Sequence, residues 1–492
     1  MLFNSLQFII FLPVVVLAYY IVPDRFKSLW LLAASYFFYM CWNAAYLLLI
    51  LFSTLVTFLC AISLERFGSS PGKRKLLLIL SLVINLSILF FFKYFTFAAE
   101  NLNSVFRHIG LALNVPVFDV LLPVGISFYT FQALGYTIDV YRGEIAAERN
   151  FVQYALFVSF FPQLVAGPIE RSGNLLHQLS VPHRADFSNI LDGVYLIIWG
   201  FFLKLVLADR IAIFVDSIYG PGYAEFTGWY VALAAVLFSF QIYCDFAGYS
   251  TIAMGSAKLL GIDLMENFNA PYLSASTPEF WRRWHISLST WFRDYLYIPL
   301  GGNRRGKLRK YLNLLITFAV SGLWHGANWG YVAWGLLNGI YQVIGGILTP
   351  IRKKLSSLLN LNVKSIGCRV VSTVFTFALI SFAFIFFRAS RLSPALVMVK
   401  NMFGESNPWI FFDGSLLRLG LDGADFLVLF VGFLVLFCAD MMKYRGIKVR
   451  NILMREDAWF QAVIIALSVC AILVFGVWGT SYDAASFIYF QF

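Results

Sequence analysis

Charge is sparse in this 492-residue chain: Asp, Glu, Lys and Arg together make up 13% of it, against 60% hydrophobic residues. With a mean hydropathy of +0.76, this excludes an ordinary soluble globular domain, which needs more polar side chains to cover its surface. Cysteine is thin as well. Its six copies (Cys41, Cys60, Cys244, Cys368, Cys438 and Cys470) lie scattered through apolar segments without C-x-x-C spacing. That argues against a disulfide framework and a zinc site, so no metal is expected and the thiols read as small hydrophobes in helices. Histidine is scarcer still, with five copies, and His108, His177 and His183 fall in polar segments that read as loops. No internal repeat or low-complexity segment is evident, and one integral domain over residues 1–492 is expected.

What is abundant is long apolar runs. Residues 6–22, 44–63, 76–98, 120–138 and 461–477 each match about one helical bilayer crossing. The expected fold is an all-α, polytopic membrane bundle of about 11 to 13 segments, with 151–167 and 211–219 as half-spans. The opening Met1-Leu2-Phe3-Asn4 lacks the basic start of a secretory signal, so the first run is expected to stay as a span.

The formal net charge of +11 does not point to nucleic acid. Its basic residues cluster at 66–75, 282–310, 352–354 and 443–455, between apolar runs, which is the positive-inside pattern. With those clusters in the cytoplasm, residues 311–328 run outward and 331–348 return. The acidic segment 404–425 then lies outside, although Arg388, Arg391 and Lys400 fit that side less well. Both termini are expected on the extracytoplasmic side, and parity leaves 142–279 open. Arg304, Arg305 and Lys307, with Arg309 and Lys310, have a second reading as holders of the phosphates of a cytosolic donor.

The chemistry concentrates in Ser321-Gly322-Leu323-Trp324-His325-Gly326-Ala327-Asn328-Trp329. His325 follows Tyr311 by 14 residues, roughly 21 Å of helix, which places it inside a hydrocarbon core about 30 Å thick. An imidazole in apolar surroundings is costly unless its nitrogens find partners, and a neutral ring accepts a proton readily near pH 7. Gly322 and Gly326 share a helix face, which means either close helix packing or room for a substrate.

Ser276-Thr277-Pro278-Glu279 signals a helix start. A single helix is expected to follow, with Trp281, Trp284, Leu288 and Trp291 on one apolar face and His285 on its edge. Such a stripe by itself reads as packing or interface anchoring. Asp245, in the apolar 238–249 run, either orients a histidine or pairs with a basic residue, the second role being the simpler. In the tail, aromatics alternate around Tyr489, as an interfacial anchor or as a phenol that carries an acyl group transiently.

Taken together, Leu122-Pro123-Val124-Gly125-Ile126-Ser127-Phe128-Tyr129-Thr130-Phe131-Gln132, the run Phe161-Pro162-Gln163-Leu164-Val165-Ala166-Gly167-Pro168-Ile169-Glu170-Arg171, and residues 241–249, 279–302 and 323–328 resemble the membrane-bound O-acyltransferase family. The similarity is greatest to its branch that acetylates alginate and other bacterial exopolysaccharides. It covers most of the chain, and the joint occurrence of the motifs, not any one of them, is specific. Ala247 and Thr251 depart from it, where relatives often carry serine and aspartate.

The resemblance implies a helical bundle whose funnels converge on buried histidines. It implies His325 and His285 as the catalytic pair; Asp245, Trp324 and Asn328 are candidate supporting polar residues around it. It implies acyl transfer from a cytosolic thioester, acetyl-CoA being the expected donor with no bound cofactor, to an extracytoplasmic polysaccharide such as alginate. A periplasmic or surface-exposed partner protein and the bacterial inner membrane belong to the same expectation. The tail around Tyr489 is similar to the acyl-accepting end of a partner in teichoic-acid D-alanylation. D-alanyl transfer and peptidoglycan O-acylation stay open within the family. Outside it, the rivals are a transporter or flippase, which predicts solute flux without acyl transfer, and a scaffold of a secretion complex.

Overall fold

The computed structural model describes residues 1–118, 121–165, 167–389 and 391–478. The described chain is helical and contains no strand. Among the described residues, eight helices are long and apolar enough to cross a membrane: Ala44–Arg66, Pro71–His108, Phe187–Tyr219, Trp229–Lys258, Trp329–Leu358, Ile366–Arg388, Gly423–Tyr444 and Ala458–Phe475. A shorter apolar helix, Leu6–Ile21, precedes them. The chain is a multi-pass helical membrane protein. The 11 to 13 segments expected from hydropathy include helices such as Ile126–Arg142 and Gly306–His325, which carry more polar positions or less length than a free-standing span. The cluster at 352–354 rides on the exposed last turns of Trp329–Leu358 instead of lying in a loop.

The chain folds as two compact units, Met1–Ile197 with Ile252–Met265, and Ile198–Thr251 with Glu266–Phe492. At the centre of the first, the helix Ile126–Arg142 is buried at every position from 126 to 137. Gly125 starts it with φ +74°, a left-handed conformation open to glycine, and a Cβ there would run into the Leu164 carbonyl. Gln132 and Gln163, from the two motifs flanking this core, both donate to the Phe157 carbonyl, at 2.6 and 2.7 Å. In this unit these motifs lock backbone that would otherwise be buried without a partner.

In the second unit the helices Gly306–His325 and Trp329–Leu358 pack directly against each other. Gly322 and Gly335 make that approach, since a Cβ on Gly335 would stand 3.1 Å from the Gly322 Cα, and a Cβ on Gly322 would run into the Tyr331 carbonyl. Gly326 is equally closed, with the Tyr331 ring against it. Of the two readings of these glycines, helix packing is the one realised. A π-helical stretch, Phe202–Ala208, interrupts the Phe187–Tyr219 span and places the lysine of that stretch inside.

Candidate active site

His325 is the last residue of its helix, where the outward-facing carbonyls carry partial negative charge that favours a cation. Its ring is 5% exposed and walled by Trp324, Trp334 and Phe387 at centroid distances of 5.0, 5.1 and 5.3 Å. The chain then turns sharply. Asn328 begins the next helix by accepting the Gly330 N–H at 2.8 Å, so its side chain fixes the hairpin that presents His325. Trp334 itself packs on Trp281 and Phe387, and Trp281 donates to Asn338 at 3.3 Å.

The single helix expected through residues 280–291 is not what forms. It breaks into Thr277–Arg283 and Ile286–Phe292, and His285 stands at the break with φ +42° and ψ +55°. A left-handed non-glycine residue costs on the order of 1–3 kcal/mol and persists only where its surroundings dictate it. Here they do: the Ile286 N–H donates to the Asn267 carbonyl at 3.0 Å, and the Ser287 hydroxyl to Asn267 Oδ1 at 2.6 Å. The break swings His285 out of the tryptophan stripe and into the interior, where it is 1% exposed.

The two imidazoles thereby meet. Their centroids lie 6.3 Å apart at 61°, with Trp324 6.2 Å and Phe246 4.6 Å from the His285 ring. The pair is buried and surrounded by aromatic rings.

Asp245, adjacent in sequence to Phe246, takes the basic-partner role. Its Oδ1 is 2.7 Å from Lys204 Nζ, and the same ammonium lies 2.8 Å from Asp209 Oδ1, with all three side chains buried. Lys204 escaped the sequence reading, although a lone lysine in Phe201-Phe202-Leu203-Lys204-Leu205-Val206-Leu207 is a signal, since a buried ammonium needs an acid. Thr251, one of the departures from the family pattern, turns back to the Ala247 carbonyl at 2.6 Å and joins no wider network through that bond.

Arg304, Arg305 and Lys307 are exposed at the opposite end of the His325 helix, roughly 30 Å away for a rise of 1.5 Å per residue. The structure therefore does not gather them with the histidines. Tyr489 lies outside the described residues.

Residues 144–388 match the model of the membrane-bound O-acyltransferase family, a stretch that contains Asp245, His285 and His325 but not the 122–132 motif. The chain is 38% identical to the "Probable alginate O-acetylase AlgI" of Pseudomonas aeruginosa, over 89% of this chain and 81% of that protein. This chain belongs to the membrane-bound O-acyltransferase family. The peptidoglycan O-acetyltransferase of Helicobacter pylori is 35% identical over 87% of this chain and 83% of its own length. A teichoic acid D-alanyltransferase of Streptococcus thermophilus is 35% identical over 45% of this chain and 56% of its own. This membrane-bound O-acyltransferase is thus an enzyme of O-acyl transfer, which removes the transporter and scaffold readings.

Proposed function

We propose that this acyltransferase moves acetyl groups from cytosolic acetyl-CoA to hydroxyls of an extracytoplasmic polysaccharide such as alginate. The observation that carries the reading is the buried His285–His325 pair at 6.3 Å. The acceptor hydroxyl oxygen attacks the thioester carbonyl, His325 takes the hydroxyl proton, the C–S bond breaks, and the proton passes to the departing thiolate. His285, held at the other side, orients the thioester carbonyl. General-base assistance of this kind is worth roughly 10²- to 10⁴-fold. No metal or bound cofactor has a part in this scheme. Asp245, Trp324 and Asn328 hold the surroundings of the pair.

The donor enters from the cytoplasmic face, with Arg304, Arg305 and Lys307 attracting its phosphates at the mouth. The enzyme sits in the bacterial inner membrane with both termini outside. The acyl group reaches the polymer either directly or through Tyr489 and a periplasmic or surface-exposed partner protein. Peptidoglycan is the second acceptor to test, because the Helicobacter pylori relative matches over nearly as much of the chain.

The test is mass spectrometry of the full-length protein, wild type and His325→Ala, after incubation with isotope-labelled acetyl-CoA. Label on the 487–492 peptide of wild type alone supports donor, base and relay together. Label passing to polymer without a protein adduct supports direct transfer. Full acetylation of the polymer by His325→Ala, at normal protein levels, overturns the assignment.

A further inference from the structure

We infer that Asn267 is a positioning residue for the reaction: it caps the helix that follows His285 from outside that helix, and so holds the imidazole toward His325. This rests on the reading of His285 as one of the active pair.

The first N–H groups of any helix lack partners within it, and the residue at the N-cap ordinarily supplies a side-chain acceptor. His285 occupies that position for Ile286–Phe292 but makes no capping bond with its ring. Asn267 does the work instead. Its carbonyl accepts the Ile286 N–H at 3.0 Å, and its Oδ1 accepts the Ser287 N–H at 3.3 Å and the Ser287 hydroxyl at 2.6 Å. Its Nδ2 donates to Ser250 Oγ at 3.0 Å, which fixes the amide orientation. The same strap grips the other side of the break, where the Asn269 N–H donates to the Arg283 carbonyl at 2.9 Å and Arg283 Nη1 to the Asn269 carbonyl at 3.1 Å.

Asn267, Ser287 and Ser250 are at most 2% exposed, so water does not substitute for these bonds. The consequence is a division of labour. The strap satisfies the backbone at the break and over-determines the left-handed turn, and the imidazole is spared capping and faces Phe246 and His325. Strain held this way by a distant segment is characteristic of active sites.

The experiment measures the initial rate of polymer O-acylation in cells that depend on the full-length chain, with its membrane level quantified alongside. Four variants are compared: Asn267→Leu, Asn267→Asp, Ser287→Ala and His285→Ala. Asn267→Leu keeps the volume and removes every side-chain bond, and its rate is expected to fall roughly 10- to 100-fold, the scale of a misplaced catalytic group. Asn267→Asp keeps Oδ1, while the Ser250 hydroxyl reverses to donate, so it is expected to retain most of the activity. Ser287→Ala, which deletes one hydroxyl, is expected to fall several-fold without loss of protein.

A wild-type rate for Asn267→Leu at normal level overturns the inference, as does an Asp variant no better than the Leu variant. If Asn267→Leu does not accumulate, Ser287→Ala decides: an unchanged rate overturns the inference and a reduced one supports it. An unchanged rate for His285→Ala sinks the active-pair reading itself. Loss in His285→Ala with none in Asn267→Leu or Ser287→Ala sinks only the role of Asn267.

Discussion

Gly322 and Gly335 bring two helices so close that a Cβ built on Gly322 would stand 3.3 Å from the Gly335 Cα and run into the Tyr331 carbonyl. The contact lies three residues before His325, so helix spacing here sets the height and direction of the ring. Gly322→Ala is expected to cost about 1–3 kcal/mol by overpacking. The displaced ring should lower acyl transfer by roughly tenfold or more. Thermal unfolding and polymer ester content of the same preparations check both.

His325→Ala is expected to lower acyl transfer by roughly 10²- to 10⁴-fold while the protein accumulates normally, as loss of a general base requires. Ester content per unit of membrane protein is the measurement, and a residual rate near wild type would remove His325 from the mechanism.

Lys204→Met leaves Asp209 and Asp245 buried without their shared ammonium, at 2.8 and 2.7 Å in the native protein. Breaking a buried ion pair in this way costs on the order of 3–5 kcal/mol, so the variant is expected to unfold at lower temperature and to accumulate poorly. Adding Asp245→Asn to Lys204→Met removes one of the stranded charges, and should recover part of the loss. Thermal melts of the single and double variants test whether the two effects are coupled.

The combined replacement Arg304→Ala, Arg305→Ala and Lys307→Ala should raise the donor KM several-fold, leave kcat close to wild type and weaken the dependence of KM on salt, because exposed charges act through screened attraction. Steady-state kinetics with acetyl-CoA at two ionic strengths read this out. A donor KM unchanged at low salt would show that these residues serve topology alone.

Much of this was legible in the residues. Hydropathy marked the long helices, and Ser276 does cap the helix Thr277–Arg283 as its motif indicated, accepting the Glu279 N–H at 3.3 Å. The scarcity of histidine in apolar sequence singled out His285 and His325, and the need of a buried carboxylate for a cation anticipated a partner for Asp245. Lys204 was missed because its run stays apolar on average despite the lysine.

The amino-acid order alone determined that the chain is a bundle of apolar helices with two histidines set in apolar sequence, because hydrophobic periodicity and burial cost are properties of local sequence. Only the tertiary structure decided that the helix breaks at His285, that its ring meets His325, and that Lys204 sits between Asp209 and Asp245. The tryptophan stripe at 281–291 fits an unbroken helix equally well. What overrides it is a set of hydrogen bonds from Asn267, 18 residues before His285 in the chain, and periodicity carries no record of bonds that distant.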